Sequence, residues 1–522
     1  MSSPIDGKVI DAARAAFPAS GPAITLGAVV HGGAVHPEPL VAIPLAMLNR
    51  HGLIAGATGT GKTKTLQLIA EQLSRAGVPV FVSDVKGDLS GIAAAGSPHP
   101  KVDERSTATG YAWNAQAMPV EFLSLTGARG AQLRATVSSF GPMLLAKVLG
   151  LNDTQTSVLT LVFKYCDDHG LLLLDLADLR AALQHLVGDG ATELADYGGL
   201  SKQTVGVLLR ELVELEAQGA EGFFGEPEFE LEDLLQVERD GRGLVSVLEL
   251  PDVQDKPRLW STFMLWMLAT LYNELPEAGD LDKPKLVFFF DEAHLLFAEA
   301  SPALLEQVER VVRLIRSKGV GVFFISQSPK DVPPTVLGQL GHRVQHALRA
   351  FTADDEKALK SAARTFPKTT LYDIEETLTT LGIGQALVTV LAPNGVPTPP
   401  FATHLVPPCS RMGPLTDAEL AERTRTPQVR KYATAVDRES ARELLAKKLA
   451  DPDATTPAPA RGRPVLDDGG PVARPGTRYG APRGRSRMTM GERVATQAAR
   501  TATSAIMRGV LDALIGGGRR RR

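Results

Sequence analysis

Gly56-Ala-Thr-Gly-Thr-Gly-Lys-Thr63 joins a short apolar run, His51–Ala55, to the amphipathic segment Lys64–Arg75. The stretch has the spacing GxxxxGK[ST], after a predicted strand and before a predicted helix, which is the context that this motif requires. Its glycines allow backbone N–H groups to wrap a phosphate at the positive end of the helix. The alternative is a glycine-rich turn that binds nothing, and chance matches to the whole pattern are rare. The predicted nucleotide-binding residues are Gly56, Ala57, Thr58, Gly59, Thr60, Gly61, Lys62, Thr63 and Lys64.

Two side chains at the end of this loop have separate predicted roles. Lys62 is expected to neutralise the β- and γ-phosphate oxygens of a nucleotide, which makes it a candidate catalytic residue. Thr63 is expected to offer its hydroxyl to Mg²⁺. ATP and Mg²⁺ are therefore the predicted ligands of this Walker A motif.

The apolar runs around the loop predict an α/β fold. Val78–Val82 follows the amphipathic segment as a second buried strand, so the three elements form a β-α-β unit. Parallel strands that are covered on both faces are typical of doubly wound α/β domains. Further strands are predicted in Gly243–Leu250, Lys285–Phe290, Val320–Ser326 and Ile383–Val390, and an apolar helix in Leu259–Tyr272.

Two adjacent carboxylates follow one of these strands. The apolar run Leu286–Phe290 leads directly into Asp291 and Glu292, at the end of the strand where such sheets bind ligands. This pattern predicts a Walker B motif in which Asp291 belongs to the Mg²⁺ shell and Glu292 is the base for the attacking water. The alternative is a solvated acidic turn. His294 is interpreted as a capping or packing residue and is left out of the site.

Polar residues also follow two other predicted strands. Gln327 comes directly after Val320–Ser326 and is expected to sense the γ-phosphate or its attacking water, unless it only bonds a loop. Asp84 and Asp88 follow the second strand, where a contact with the catalytic water or the metal shell and a plain Asx-type turn are equally good interpretations.

Three arginines recur at helical spacing between the Walker B strand and Gln327. Arg310, Arg313 and Arg316 lie at i, i+3 and i+6, and such a row is usually solvated. In an ATPase, one of them can act as an arginine finger, and we expect it to act across a subunit interface. Arg316 is the predicted finger.

The chain of 522 residues is long enough for one large core with additional segments. Its two cysteines, Cys166 and Cys409, have neither metal-ligand nor disulfide-framework spacing, and no export signal or apolar membrane span is recognised. A cytoplasmic location is expected. The predicted segments are a strand-rich region (1–48), a first core part (49–120), a helical insertion (121–240), a second core part (241–410), a helical segment (411–450), a disordered linker (451–487) and a basic amphipathic helix (488–522).

The C-terminal tail is strongly basic, although the net charge of the whole chain is slightly negative. The whole chain has a formal net charge of −3, yet residues 473–522 contain twelve arginines and only two carboxylates. Such a tail is expected to bind a polyanion. DNA, an anionic membrane surface and an acidic partner protein all satisfy that description, as does a solvated tail that binds nothing.

Taken together, the motifs resemble the HerA-FtsK superfamily of RecA-like motor ATPases, and most closely bacterial proteins with a HerA-type helicase C-terminal domain. The resemblance spans roughly Ala23–Pro407 and implies a RecA-like core, a hexameric ring with nucleotide at subunit interfaces, and a central pore that moves DNA. The stretches that carry it are Asn49–Thr63, Asp84–Asp88, Asp291–His294, Arg316–Gly321 and Ser326–Pro329.

Three classes of function are compatible with these residues. The leading interpretation is an oligomeric ATP-hydrolysing motor that acts on DNA. The alternative is a nucleotide-dependent regulatory or assembly ATPase that translocates nothing. A small-molecule kinase fits less well, because the Asp-Glu pair and Gln327 suit attack by water better than transfer to an alcohol.

Overall fold

The computed structural model describes residues 4–18, 21–197, 199–298 and 302–450. Within this part of the chain, twelve strands form one sheet in the order β2-β1-β12-β11-β10-β3-β9-β8-β4-β7-β5-β6. The strands are β1 (Ala23–His31), β2 (Ala34–Pro44), β3 (Gly52–Ala55), β4 (Val80–Asp84), β5 (Val120–Ser124), β6 (Ala131–Gln132), β7 (Val245–Glu249), β8 (Leu286–Phe290), β9 (Val320–Ser326), β10 (His342–His346), β11 (Gln385–Thr389) and β12 (Phe401–Leu405).

Helices connect the strands and cover the sheet. They are α1 (Pro4–Ala16), α2 (Lys62–Arg75), α3 (Pro100–Thr109), α4 (Val137–Val148), α5 (Asp153–Asp168), α6 (Leu176–Val187), α7 (Lys202–Ala217), α8 (Pro257–Glu274), α9 (His294–Ala298), α10 (Pro302–Ile315), α11 (Pro334–Leu337), α12 (Ala353–Ala363), α13 (Ile374–Thr380), α14 (Asp417–Arg423), α15 (Pro427–Tyr432) and α16 (Ala441–Ala450).

Eight neighbouring strands are parallel, from β10 through β3, β9, β8, β4, β7 and β5 to β6 at one edge of the sheet. Parallel strands all end at the same side of a sheet, here called its carboxyl end. Strand β9 lies between β3, which leads into the glycine-rich loop, and β8, which leads into Asp291. The α/β fold predicted from the sequence is confirmed, and the three polar strand ends of the predicted site become neighbours.

Both faces of the parallel sheet are buried because successive side chains of each strand point to opposite faces. In β8, Phe288 and Phe290 pack into the core on the side of α8 and α10, whereas Phe289 packs into the core on the side of α2. Each fully buried phenylalanine stabilises the fold by about 1.5–3 kcal/mol. This two-sided burial explains why β8 is an uninterrupted apolar run.

The other side of the sheet is antiparallel. Strands β1 and β2 form a hairpin within the segment predicted to be strand-rich (1–48), and β1 pairs with β12, which pairs with β11. Gly27 allows this pairing, because a Cβ there would lie 2.1 Å from the His404 carbonyl oxygen. Helix α1 precedes the hairpin and buries Val9 and Ala13 in the core beneath it. No pattern in the sequence predicted this helix.

The predicted helical insertion, residues 121–240, is not wholly helical. Helices α4 to α7 form its larger part, but β5 and β6 add two strands to the parallel side of the sheet. The first helix of the insertion, α4, begins only at Val137, because Gln132 ends β6. Within α4, Gly141 has φ +75° and introduces a kink. The insertion therefore shares a strand ladder with the core.

The segment from Asp417 to Ala450 forms the three short helices α14, α15 and α16. The predicted linker (451–487) and basic amphipathic helix (488–522) lie outside the described residues. Within those described, no helix combines the length and the apolar composition needed to cross a membrane.

Candidate functional site

The loop between β3 and α2 has a backbone that only glycine adopts easily. Gly56 has φ +152° and Gly61 has φ +116°, and both angles lie in the region that side chains disfavour. A Cβ on Gly56 would also lie 2.5 Å from the Cβ of His346. The strand-loop-helix context predicted for the motif is therefore confirmed, and its first glycine is required by close packing as well as by conformation.

Backbone hydrogen bonds tie this loop to the ends of the neighbouring strands. The Gly56 N–H donates to the Ser326 carbonyl at the end of β9 (3.3 Å), and the Ala57 N–H donates to the Ala347 carbonyl after β10 (3.0 Å). The Thr60 hydroxyl closes the loop by donating to the Ala57 carbonyl (2.7 Å). These three hydrogen bonds fix the shape of the loop.

Lys62 lies across the loop. Its ammonium donates to the carbonyls of Gly56 (2.8 Å) and Ala57 (3.2 Å). Burial lowers the pKa of Lys62, an effect that nearby Glu292 partly opposes. Thr63 and Lys64 follow in the first turn of α2, half-buried, and burial also lowers the pKa of Lys64. Two partly desolvated lysines therefore lie at the start of a helix, where its dipole also favours anions.

A histidine that the sequence analysis missed lies beneath the loop. His346, at the end of β10, is buried, and its Nε2 is 2.8 Å from the Thr65 hydroxyl of α2. Burial lowers the pKa of His346 to about 4, and the charge of Lys62 acts in the same direction. The ring is therefore neutral at physiological pH and connects two elements without adding charge to the loop.

Asp291 is a buried carboxylate with spare coordination capacity. Its backbone N–H donates to the Ser83 hydroxyl (3.1 Å), whereas its Oδ2 atom is buried without a hydrogen-bond partner among the described residues. Burial raises the pKa of Asp291 to about 7, and the adjacent Glu292 contributes to the shift. An unpartnered, desolvated carboxylate oxygen fits a hard divalent cation such as Mg²⁺.

Glu292 has both an unusual backbone and two basic neighbours. Its φ of +49° is left-handed, a conformation that costs of the order of 1–3 kcal/mol for a residue with a side chain. Its Oε1 accepts a hydrogen bond from the Lys86 ammonium, and its Oε2 lies 3.2 Å from His294 Nδ1. The side chain is only 6% exposed. Lys86 was not predicted as a site residue, and His294, which had been left out, lies beside the carboxylate.

Asp84 forms the Asx-type turn that was one of its two interpretations. Its carboxylate accepts the backbone N–H groups of Gly87 (2.8 Å), Asp88 (3.3 Å) and Leu89 (2.8 Å). Burial nevertheless raises the pKa of Asp84 to about 6. The turn fixes the loop that carries Lys86 towards Glu292.

Gln327 and Arg316 lie at opposite ends of β9. Gln327 is exposed at the carboxyl end, on the strand between the glycine-rich loop and Asp291. Arg316 is exposed just before β9 begins, at the amino end of the sheet. Seven strand residues separate them, which corresponds to roughly 20 Å. Arg310 and Arg313 are exposed on α10. The chain therefore does not bring Arg316 to its own glycine-rich loop.

Comparison with known proteins gives one match over nearly the whole chain. The family model described as "Helicase HerA-like C-terminal" matches residues 33–522. Among curated proteins, "Probable helicase MJECL08" of Methanocaldococcus jannaschii is 28% identical over 154 residues, which are 28% of this chain and 28% of that protein. The matched region is thus less than a third of either protein.

Solved structures show a distant likeness. The bacterial conjugative coupling protein TrwBdeltaN70 has a TM-score of 0.47 and 15% identity, with 81% of this chain and 94% of that chain covered. VirB4 of Thermoanaerobacter pseudethanolicus has a TM-score of 0.45 and 16% identity, with 74% and 97% covered. TrwB has also been solved with ADP and Mg²⁺.

Because Asp291 is buried, replacing its carboxylate by a neutral side chain should change the stability of the protein in a pH-dependent way. Because the pKa of Asp291 in the folded protein, about 7, exceeds the value near 3.9 of an unfolded chain, its contribution to stability is lost as pH rises from about 4 to 7. Asp291→Asn should therefore raise the free energy of unfolding by up to about 4 kcal/mol at pH 8 and by only about 1–2 kcal/mol at pH 5. Urea denaturation in metal-free buffer at both pH values measures this difference.

Asp437→Asn provides the matched control, since Asp437 is exposed. It should change the free energy of unfolding little at either pH. An Asp291→Asn variant that is equally stable or less stable than the wild type at pH 8 would contradict the burial argument.

Proposed function

The chain belongs to the helicase HerA-like C-terminal family of P-loop NTPases, and on that premise we propose that it is an oligomeric motor that hydrolyses ATP to move along DNA. The single observation that carries the proposal is the arrangement at the carboxyl end of the sheet. The loop with Lys62 and the carboxylates Asp291 and Glu292 follow strands that are separated only by β9. A nucleotide held by the loop has its terminal phosphate directed towards these carboxylates.

In the proposed reaction, water attacks the γ-phosphate of ATP and ADP leaves. Lys62 binds the β- and γ-phosphate oxygens, and Glu292 orients the attacking water and accepts its proton. Gln327, on the intervening strand, contacts the water or the γ-phosphate. Mg²⁺, held by Thr63 and the free oxygen of Asp291, would neutralise charge on the phosphates.

Lys86 occupies one oxygen of the proposed base, Glu292. Its ammonium is bonded to the same carboxylate that is proposed to accept the proton, and the bond raises the pKa of Lys86. The Lys86 side chain is 50% exposed, so it can rotate away at a modest cost. Glu292 is then free to bond the water.

The role of Arg316 requires a second copy of the chain. An arginine roughly 20 Å from the loop of its own chain cannot contact the same phosphates. Its exposure leaves the guanidinium available to the nucleotide of a neighbouring subunit, where it would stabilise charge developing in the transition state. A closed ring, hexameric in the family that the motifs resemble, would give every subunit such a neighbour.

DNA as the substrate rests on family membership and on the basic tail, whose residues 488–522 would add salt-dependent affinity for phosphate. A cytoplasmic location gives access to DNA. The second candidate, a regulatory or assembly ATPase, shares the ATP chemistry but not the dependence on DNA. A tail that binds an anionic membrane surface or an acidic partner suits this second candidate equally well.

Binding and hydrolysis should separate in two variants. Lys62→Ala should abolish ATP binding, because the phosphates lose their ammonium, whereas Glu292→Gln should bind ATP and lose turnover. Wild-type turnover should rise with duplex DNA, and the rise should fade at high salt. Nucleotide titration and phosphate release, with and without DNA, measure all three.

Lys368→Ala, a change of an exposed lysine, is the matched control and should behave as wild type. Equal loss of binding in Lys62→Ala and Glu292→Gln would refute the division of roles. Robust turnover that DNA never stimulates would favour the regulatory ATPase.

Arg316→Ala should lower turnover by about 10³-fold with little change in ATP affinity, because the finger meets only transition-state charge. Mixed assemblies test whether it acts in trans. Combining Arg316→Ala subunits with Glu292→Gln subunits should restore some activity, since some interfaces then pair an intact base with an intact finger.

Arg313→Ala is the matched comparison, because Arg313 is also exposed and lies one turn earlier. If Arg313→Ala loses turnover and Arg316→Ala does not, the finger is Arg313. Absence of recovery in mixtures that demonstrably co-assemble would exclude a finger in trans.

A further inference from the structure

The ion pair between Lys86 and Glu292 joins the ends of two neighbouring strands. Glu292 follows β8, and Lys86 follows β4, which pairs with β8 in parallel. The pair is asymmetric, because the Glu292 side chain is 6% exposed and the Lys86 side chain is 50% exposed. A buried carboxylate without a partner is costly, whereas an exposed ammonium returns to water at a modest cost. The ammonium is therefore the half of the pair that can move.

The backbone on both sides of Lys86 is held by hydrogen bonds. One residue before, the Val85 carbonyl accepts a hydrogen bond from the Gln254 side-chain amide. One residue after, the Gly87 N–H donates to the Asp84 carboxylate (2.8 Å). Because these bonds fix the turn, a change of partner requires only rotation of the lysine side chain.

The charge of Lys86 acts on both sides of the candidate site. Burial lowers the pKa of Lys62 in the glycine-rich loop; Glu292 opposes this shift, and the charge of Lys86 adds to it. Burial raises the pKa of Asp291, and the charge of Lys86 opposes that shift. Lys86 is therefore close enough to the loop lysine and to the Asp291 carboxylate to act on a phosphate bound between them.

A γ-phosphate would compete with Glu292 for the Lys86 ammonium. It carries more negative charge than a carboxylate, and Coulomb attraction grows in proportion to charge. Its oxygens also accept charge-assisted hydrogen bonds of the kind that Glu292 accepts from Lys86. ADP has no phosphate at this position. The partner of Lys86 should therefore depend on which nucleotide is bound.

We propose that Lys86 regulates the proposed base: it binds Glu292 while the site lacks a γ-phosphate, and it moves to that phosphate when ATP binds. The proposal rests on the proposed function, because it requires ATP in the loop and Glu292 as the base. The exchange moves one ammonium between two anions and breaks no covalent bond. As a result, Glu292 is released to bond the attacking water only when the phosphate that the water attacks is in place.

The test compares two nucleotides that differ in the γ-phosphate. Affinities for ADP and for the non-hydrolysable ATP analogue AMP-PNP, each with Mg²⁺, are measured by calorimetry on the full chain. In Lys86→Met, the ratio of AMP-PNP affinity to ADP affinity should fall about fivefold or more, because only the analogue gains the ammonium. Lys360→Met is the matched control, since the Lys360 side chain is 49% exposed and also pairs with a glutamate, Glu356. It should leave the ratio within about twofold of wild type.

Glu292→Gln provides a second test that does not depend on how well Lys86→Met folds. Without the carboxylate charge, Lys86 is released from the pair in advance, so the ratio of AMP-PNP affinity to ADP affinity should rise above that of wild type. The same substitution should raise the ratio less in Lys86→Met, because no ammonium remains to meet the phosphate.

The other outcomes overturn the proposal and identify what replaces it. An unchanged ratio in Lys86→Met would show that the pair with Glu292 is structural. An equal rise from Glu292→Gln with and without Lys86 would show that the carboxylate repels the phosphate and that Lys86 takes no part. Wild-type protein that binds neither nucleotide would refute the proposed function itself, together with the proposal that rests on it.

Discussion

The site depends on backbone hydrogen bonds that join the glycine-rich loop to the ends of the two strands beside it. The Gly56 N–H donates to the last residue of β9, and the Ala57 N–H donates to the residue after β10. These two bonds fix the position of the loop relative to the carboxyl end of the sheet. The parallel ladder in turn fixes β8 one strand beyond β9. The distance between the lysine in the loop and the carboxylates after β8 is therefore set by sheet geometry rather than by flexible side chains.

Electrostatics explains why this arrangement favours a charged ligand. Asp291, Asp84 and Glu249 follow or end neighbouring parallel strands, and burial raises the pKa of all three, to about 7, 6 and 7. Burial lowers the pKa of Lys62 on the opposite side of the site. Each shift measures the cost of holding a charge away from water. A ligand that brings phosphate oxygens together with a divalent cation offsets both costs at once.

The sequence was most informative where structure is local or where burial is two-sided. The loop motif and the uninterrupted apolar run of β8 were recognisable because glycine spacing and hydrophobicity are properties of adjacent residues. Strand β10 was missed because its sequence, His-Arg-Val-Gln-His, has polar residues at four of five positions. Its histidines are buried through contacts that come from distant parts of the chain, such as that of His342 with the Met47 carbonyl.

Contacts between distant parts of the chain also limited what the sequence could predict about the site. Glu292 was predicted from its position after an apolar strand, but its pairing with Lys86 joins segments about 200 residues apart and depends on the turn around Asp84. Roles for Gln327 and Arg316 remain predictions, since no contact of either with a ligand is established. In the proposed mechanism, one chain supplies the loop and the carboxylates, and a second copy would supply the arginine finger.

Electron cryomicroscopy of the Glu292→Gln protein with ATP, Mg²⁺ and duplex DNA tests this account most directly, because the variant should retain the bound nucleotide. The account predicts a closed ring with DNA in its pore and ATP between the loop of one subunit and Arg316 of the next. Monomers with nucleotide bound, or a ring in which Arg316 lies far from every nucleotide, would contradict it.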